Sequence, residues 1–211
     1  MTKKIAVIGA NGKAGSLLVE EALGRGYDVT AIVRSEAKNK KVNVLKKDLF
    51  DLTYNDLKNF DVVIDAFGAW GDEVLKHKIS LRHLSDILKG HEEIRLLVVG
   101  GAGSLYVDLE NKVRLMDTED FPEIFKSVAT AMGEAFDELK ETKEVNWTYL
   151  SPAANFVAEG IRTGKYKLGK EELIVNSKGE SEISYADYAI ALIDEIENAN
   201  FIKARFTVVA E

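Results

Sequence analysis

Four short apolar runs, each closed by glycine or proline, decide what this chain can fold into. Residues 4–8 read Lys-Ile-Ala-Val-Ile and stop at Gly9. Residues 61–66 read Asp-Val-Val-Ile-Asp-Ala and stop at Phe67 and Gly68. Residues 95–99 end at Gly100 and Gly101, and residues 147–150 end at Ser151 and Pro152. Continuous apolar runs without polar alternation suit strands buried on both faces, as in a parallel sheet. Helical spacing lies between them. Leu17, Leu18, Ala22 and Leu23 share one face, and Gly24 and Gly26 close that helix. Leu75, Ile79, Leu84, Ile87 and Leu88 predict a helix over 72–89. Ile124, Phe125, Val128, Met132, Phe136 and Leu139 predict another within 121–143. Residues 28–33 and 42–45 read as two further strands. Strand, glycine, helix in repetition specifies an α/β, doubly wound, mostly parallel sheet.

After Pro152 the pattern changes. Residues 172–175, Glu-Leu-Ile-Val, read as a strand, Ser184 as the cap of a helix running to 197, and 206–209 as a last strand. One domain over 1–211 is expected, with residues from about 153 forming a small C-terminal cap on the substrate side.

The first run leads into Gly9-Ala10-Asn11-Gly12-Lys13-Ala14-Gly15 and then directly into a helix. Between a strand and a helix, the spacing Gly9-x-x-Gly12-x-x-Gly15 is a dinucleotide-binding loop. Gly9 permits the turn, Gly12 lets a diphosphate approach the backbone, and Gly15 lets helix and strand pack closely. Asn11, Lys13 and Ala14 complete the loop. The free N–H groups and positive pole of the helix then face the diphosphate. Cofactor choice is read at the end of the second strand, where an acidic residue favours NAD. Here that stretch is Ile32-Val33-Arg34-Ser35. Arg34 can pair with a 2′-phosphate, and Lys13 adds a second cation, so NADP(H) is preferred and NAD(H) is the alternative. Asp48 and Leu49 are expected at the adenine edge. Ala66, Phe67 and Gly68 are expected beside the ribose and diphosphate, although Phe67 is equally compatible with core packing.

With these residues in place the chain resembles the atypical short-chain dehydrogenase/reductases, closest to the NmrA-like branch and the proteins named NADH-flavin reductases. The resemblance rests on residues 7–15, 31–34, 61–68, 98–105, 147–152 and 179–189. It implies a Rossmann-type fold, NAD(P) binding and, for some relatives, reduction of flavins or other conjugated rings. It also implies that Pro152 and Ala153 touch the nicotinamide, that Asn155 and Phe156 line the substrate side, and that Ser104 holds the position of a polarising serine. Tyr106 is a candidate proton donor. Packing of Ser104, Tyr106 and Phe156 within the fold is the alternative for each. One departure stands out. The superfamily's Tyr-x-x-x-Lys relay belongs on the helix after the fifth strand, and residues 126–135 there contain no tyrosine. Tyr54 and Lys58 match the spacing but precede the fourth strand.

Composition narrows the partners. A formal net charge of −7 disfavours a nucleic-acid surface. With no cysteine, thiolate nucleophiles and disulfides are excluded. No apolar stretch reaches spanning length, so a cytoplasmic location without membrane contact is expected. His77, His83 and His91 show no metal-ligand spacing and are read as surface residues. Three functions fit these residues. The leading one is an NAD(P)H-dependent reductase, NADPH preferred, of a flavin, quinone-like or similar conjugated acceptor. The others are a non-catalytic NADP(H)-binding redox sensor and a sugar-nucleotide epimerase or dehydratase. The short chain and the missing tyrosine weigh against the last.

Overall fold

The structure is a computed structural model that describes residues 2–108 and 110–211. The chain opens with β1 (Lys4–Ile8), α1 (Lys13–Gly24), β2 (Asp28–Val33) and β3 (Asn43–Lys46). It continues through α2 (Tyr54–Leu57), β4 (Val62–Asp65), α3 (Lys76–Leu88), β5 (Arg95–Val99) and α4 (Glu123–Lys140). Then follow β6 (Asn146–Ser151), β7 (Asn155–Val157), β8 (Tyr166–Gly169), β9 (Glu182–Ser184), α5 (Tyr185–Asn198) and β10 (Ala204–Ala210).

Eight strands form one sheet in the order β3-β2-β1-β4-β5-β6-β10-β8, parallel except for β8 against β10. The chain starts mid-sheet at β1, runs outward to β3, and returns to β4 on the other side of β1. The order reverses there, and the crevice beyond the C-terminal ends of β1 and β4 is where such sheets bind ligands.

Both faces of the sheet are covered, as the unalternated apolar runs require. Ile5 and Val7 point into a core shared with Leu18 and Ala22 of α1 and Leu192 and Ile196 of α5. Ala6 and Ile8 point into the opposite core with Leu84 and Leu88 of α3 and Phe136 and Leu139 of α4. One transverse row matters for the site. Ile32, Ile8, Asp65, Val98, Tyr149 and Arg205 lie in register across six strands, on the α3–α4 face and close to the C-terminal edge.

A buried ion pair ties α5 to the other end of the sheet. Arg95, at the start of β5, donates to the Glu195 carboxylate, to the Glu195 carbonyl (2.7 Å) and to Thr148 Oγ1 (2.8 Å). Glu195 also accepts from Phe201 N at 2.8 Å.

Several expectations are corrected. Residues 172–175 form no extended strand, and Glu172 makes only an isolated bridge to Tyr106. The edge strand is instead β8, whose sequence Tyr-Lys-Leu-Gly lacks an apolar run because only one side of it is paired. The segment after 153 does more than cap: β8 and β10 widen the main sheet, α5 packs on α1, and β7 and β9 form a separate parallel pair. The apolar faces predicted for the two long helices extend too far. Leu75, Ile79, Ile124 and Phe125, in or just before the first turn of their helices, are exposed. No helix among the described residues is long and apolar enough to cross a membrane.

Candidate functional site

The glycine loop sits at the switch point, and each glycine has a distinct reason to be there. Gly9 has φ +71°, and a Cβ on it would stand 2.5 Å from the Ala66 carbonyl oxygen. A Cβ on Gly15 would stand 2.2 Å from the Gly9 carbonyl oxygen, so helix and turn interlock only with glycine there. Gly12 differs. Its backbone is extended (φ −73°, ψ 171°), and a Cβ there would meet only the Gly9 carbonyl oxygen, at 3.1 Å. It otherwise points into open space, the cradle that a diphosphate requires.

Gly12 is the N-cap of α1, so no side chain caps the helix, and the first turn holds no acidic residue. The N–H groups of the first turn have no intrahelical partner. Together with the helix dipole they form an anion site. Asn11 has a job that sequence alone does not reveal. Its side chain donates to Glu36 O (2.9 Å) and accepts from Lys38 N (2.9 Å), and Lys38 Nζ returns to Asn11 O (2.9 Å). The loop is thereby stapled to the turn after β2. Arg34, on that turn, and Lys13 are both exposed, and neither side chain makes an ion pair or hydrogen bond among the described residues. Two uncommitted cations therefore flank the loop on the β2 side.

The other residues expected at the cofactor follow the C-terminal ends of β3, β4 and β6. Asp48 caps the turn after β3, accepting from Phe50 N at 3.0 Å, and Leu49 beside it is buried. Ala66 bonds β1 through its N–H to Ile8 O (3.1 Å) and packs its carbonyl against Gly9. Phe67 is half-buried edge-on to Phe50 and His77, while Gly68 is exposed. Pro152 and Ala153 are buried at the end of β6.

The candidates for acid chemistry are engaged elsewhere. Ser104 is only 3% exposed, and its hydroxyl accepts from Arg205 Nη1 at 2.9 Å. Arg205 in turn is paired with Glu171. Tyr106 is half-buried, with its ring 5.9 Å from the Arg205 guanidinium and its backbone bonded to Glu171 and Leu173. The structure thus places both in a packed Arg205 cluster. Asn155 pairs with Glu182, and Phe156 lies against Tyr185 (3.8 Å between centroids) and Tyr188 (4.7 Å). Tyr54 stacks on His91 at 3.6 Å, just ahead of β4 and β5 in the chain and so at the end of the sheet away from the glycine loop. Its spacing to Lys58 carries no relay.

The histidines are not free surface residues. His77 Nε2 reaches the Ala69 backbone (3.1 Å to O), and burial holds its pKa below the ordinary value. His83 Nε2 bonds Leu52 O at 3.0 Å. Sequence reading also passed over Asp65 and Tyr149. Asp65 is 5% exposed, and desolvation pushes its pKa up to about 6, against the lowering effect of its bond from Phe67 N. Tyr149 accepts from Gly101 N at 3.2 Å, and burial raises its pKa to about 12. The only available signal was the polar residue closing an otherwise apolar run.

A doubly wound sheet with an uncapped glycine loop at its switch point defines a dinucleotide-binding protein of the Rossmann type. The chain belongs to the NAD(P)H-binding family, whose profile matches residues 9–199. It is 50% identical over 210 residues to the uncharacterized protein YwnB of Bacillus subtilis, covering 99% of each chain. The crystal structure of SP1627 from Streptococcus pneumoniae, a proposed NADH-flavin reductase, is 50% identical with a TM-score of 0.96, over 99% of this chain and 100% of that one. A proposed epimerase from Bacteroides thetaiotaomicron is 40% identical with a TM-score of 0.87, over 100% of this chain and 98% of that one.

Proposed function

We propose that the protein is an NADPH-preferring reductase of a flavin, quinone-like or similar conjugated acceptor. The observation that carries the cofactor half is the uncapped glycine loop flanked by the uncommitted side chains of Arg34 and Lys13. The N–H groups at the start of α1 hold the diphosphate, and Arg34 takes the 2′-phosphate in a charge-assisted contact. Asp48 and Leu49 border the adenine, and residues 66–68, 152 and 153 border the ribose and nicotinamide. When bound, the dinucleotide supplies hydride, and what the chain adds is orientation.

The acceptor half is supported by likeness to SP1627 and by the residues around the nicotinamide end. α4 presents Ala129 and Met132 to the loop after β5: a Cβ at Gly103 would stand 2.6 Å from Ala129 Cβ, and one at Gly101 3.1 Å from Met132 Sδ. The relay tyrosine has no counterpart there. A ring nitrogen or quinone oxygen can take its proton from water, so such acceptors suit a site that orients without an acid. Phe156 and Tyr185 form a tilted aromatic pair that would line the substrate side.

The test is NADPH and NADH consumption with FMN, FAD and a quinone panel. Turnover with NADPH favoured supports the proposal. Tight NADPH binding without turnover across the panel refutes the reductase reading, and unequal thermal stabilisation by NADP+ and NADPH would then favour redox sensing.

A further inference from the structure

Asp65 is a buried carboxyl without a cation. It closes β4 beside Ile8, the residue before the glycine loop, and its neighbour Ala66 places a carbonyl oxygen against Gly9. One carboxyl oxygen accepts from Phe67 N, and the other receives no hydrogen bond among the described residues. It lines a cavity of about 20 Å³ with His77, Ser80, Met132 and Tyr149. A space of that size holds one water. Tyr149 accepts from Gly101 N, and its own proton meets no acceptor among the described residues. An unused donor and an unused acceptor therefore belong to residues that line one water-sized, half-open pocket next to the loop after β5.

The surroundings offer Asp65 little charge. From α3 the titratable group is His77, whose pKa burial lowers, and from β6 it is Tyr149, whose pKa burial raises. From β10, Arg205 is engaged with Glu171 and Ser104. β1, β5 and α4 present Ile8, Val98, Met132 and Ala135, none of which titrates. Lys13, at the glycine loop, is exposed to water. The carboxyl thus already resists ionisation in the free protein.

We propose that Asp65 is a positioning residue for the dinucleotide, protonated in the tight complex, so that the protein takes up a proton as the diphosphate binds. The inference rests on the dinucleotide reading of the glycine loop. A diphosphate seated on that loop brings two negative charges to the switch point between β1 and β4, the strand that Asp65 closes, and the neutral acid lessens the repulsion. Protonated Asp65 keeps its bond from Phe67 N, and its O–H can donate to the cavity water, which preserves the Ala66 carbonyl against Gly9.

The probe is NAD+, which lacks the phosphomonoester of NADP+ that itself titrates near pH 6. Calorimetric titration in two buffers of different ionisation enthalpy, from pH 5.5 to 8, counts the protons. The wild type should take up a substantial fraction of one proton near pH 6.5 and bind about tenfold more weakly at pH 8 than at pH 5.5. Asp65→Asn keeps the acceptor for Phe67 N without the charge. It should bind with no uptake, at an affinity nearly independent of pH. Binding heat without proton uptake in the wild type overturns the proposal, as does equal uptake in Asp65→Asn, which would assign the proton to His77. Absence of binding heat with NAD+ at every pH overturns the proposal, and if NADPH also fails to bind or to raise the Tm, the dinucleotide reading falls along with it.

Discussion

Gly12 and Gly15 make opposite demands on alanine. At Gly12 the backbone lies in the extended region, where alanine is unstrained, and its Cβ would have one close neighbour, the Gly9 carbonyl oxygen at 3.1 Å. Reduced freedom of the unfolded chain favours the alanine by about 0.4–1 kcal/mol, and the tight contact takes back a few tenths. Gly12→Ala should therefore change stability by less than about 1 kcal/mol. At Gly15 the Cβ would sit 2.2 Å from a backbone oxygen that the turn cannot move away. Overpacking of that kind costs about 1–3 kcal/mol, and a shift of α1 would also disturb its packing on α5. For a chain of this length each kcal/mol moves the Tm by about 2–4 °C. Cofactor binding should invert the order of severity per unit of stability. The Gly12 methyl would stand where the diphosphate meets the helix N–H groups, and losing one or two charge-assisted bonds, at about 1.5–3 kcal/mol each, weakens binding by ten- to a thousandfold or more. The assay is thermal melting of both variants with and without NADPH, with fluorescence titration for Kd. A Gly12→Ala protein that melts like the wild type and binds NADPH equally well would refute the placement of the diphosphate on Gly12.

Three further perturbations follow from the same geometry. Arg34→Ala should weaken NADPH about ten- to a hundredfold and leave NADH unchanged, and equal loss for both would remove Arg34 from 2′-phosphate recognition. The folded pKa of Asp65, about 6, lies above its ordinary value of 3.8, so the stability it contributes is full below pH 3.8 and lost as pH rises through about 6. Asp65→Asn should therefore gain up to about 3 kcal/mol over the wild type at pH 8 and gain little near pH 4, as read by urea unfolding at the two values; the same gain at both would contradict it. Glu195→Ala strands the buried Arg95 guanidinium and should cost about 3–5 kcal/mol, near 10 °C in Tm, whereas a loss under 2 °C would mean that Arg95 finds water.

The fold was legible in the sequence wherever burial on both faces wrote itself as an unbroken apolar run. β1 and β5 lie where those runs placed them, and Ser184 caps α5 as predicted, its hydroxyl accepting from Asp187 N. Short elements with one exposed side were not legible. β7, β8 and β9 hold three or four residues each, mostly polar, and are fixed by their partners rather than by their own pattern. At the site, the glycines were readable because each has a steric reason that no other residue type satisfies. Asn11, Ser104 and His77 were not, because what they do depends on residues 25 or more positions away or on a loop backbone: Glu36 and Lys38 for Asn11, Arg205 for Ser104, Ala69 for His77.

The same contrast explains why the cofactor half of the site stands out and the chemical half does not. A diphosphate is held by backbone, and backbone geometry leaves its mark as obligatory glycine. An acceptor that needs only to be laid against a nicotinamide is held by shape, and shape is built from residues that serve equally well as core. Ala129 and Met132 illustrate this. On α4 they read as ordinary apolar positions, yet they close against Gly103 and Gly101 and fill the face that a tyrosine relay would use. With that face packed, Ser104 is buried and held by Arg205, and Tyr106 packs its ring toward the same guanidinium, so neither hydroxyl is presented as the relay tyrosine would be. Among the described residues the buried hydroxyls left without a partner near this end are those of Ser151 and Thr207, while Asp65 and Tyr149 each keep one bond, from Phe67 N and Gly101 N. On the proposed reading, such a site would discriminate by fit and by the cations at Arg34 and Lys13. It is expected to tolerate a range of flat acceptors while holding its dinucleotide strictly.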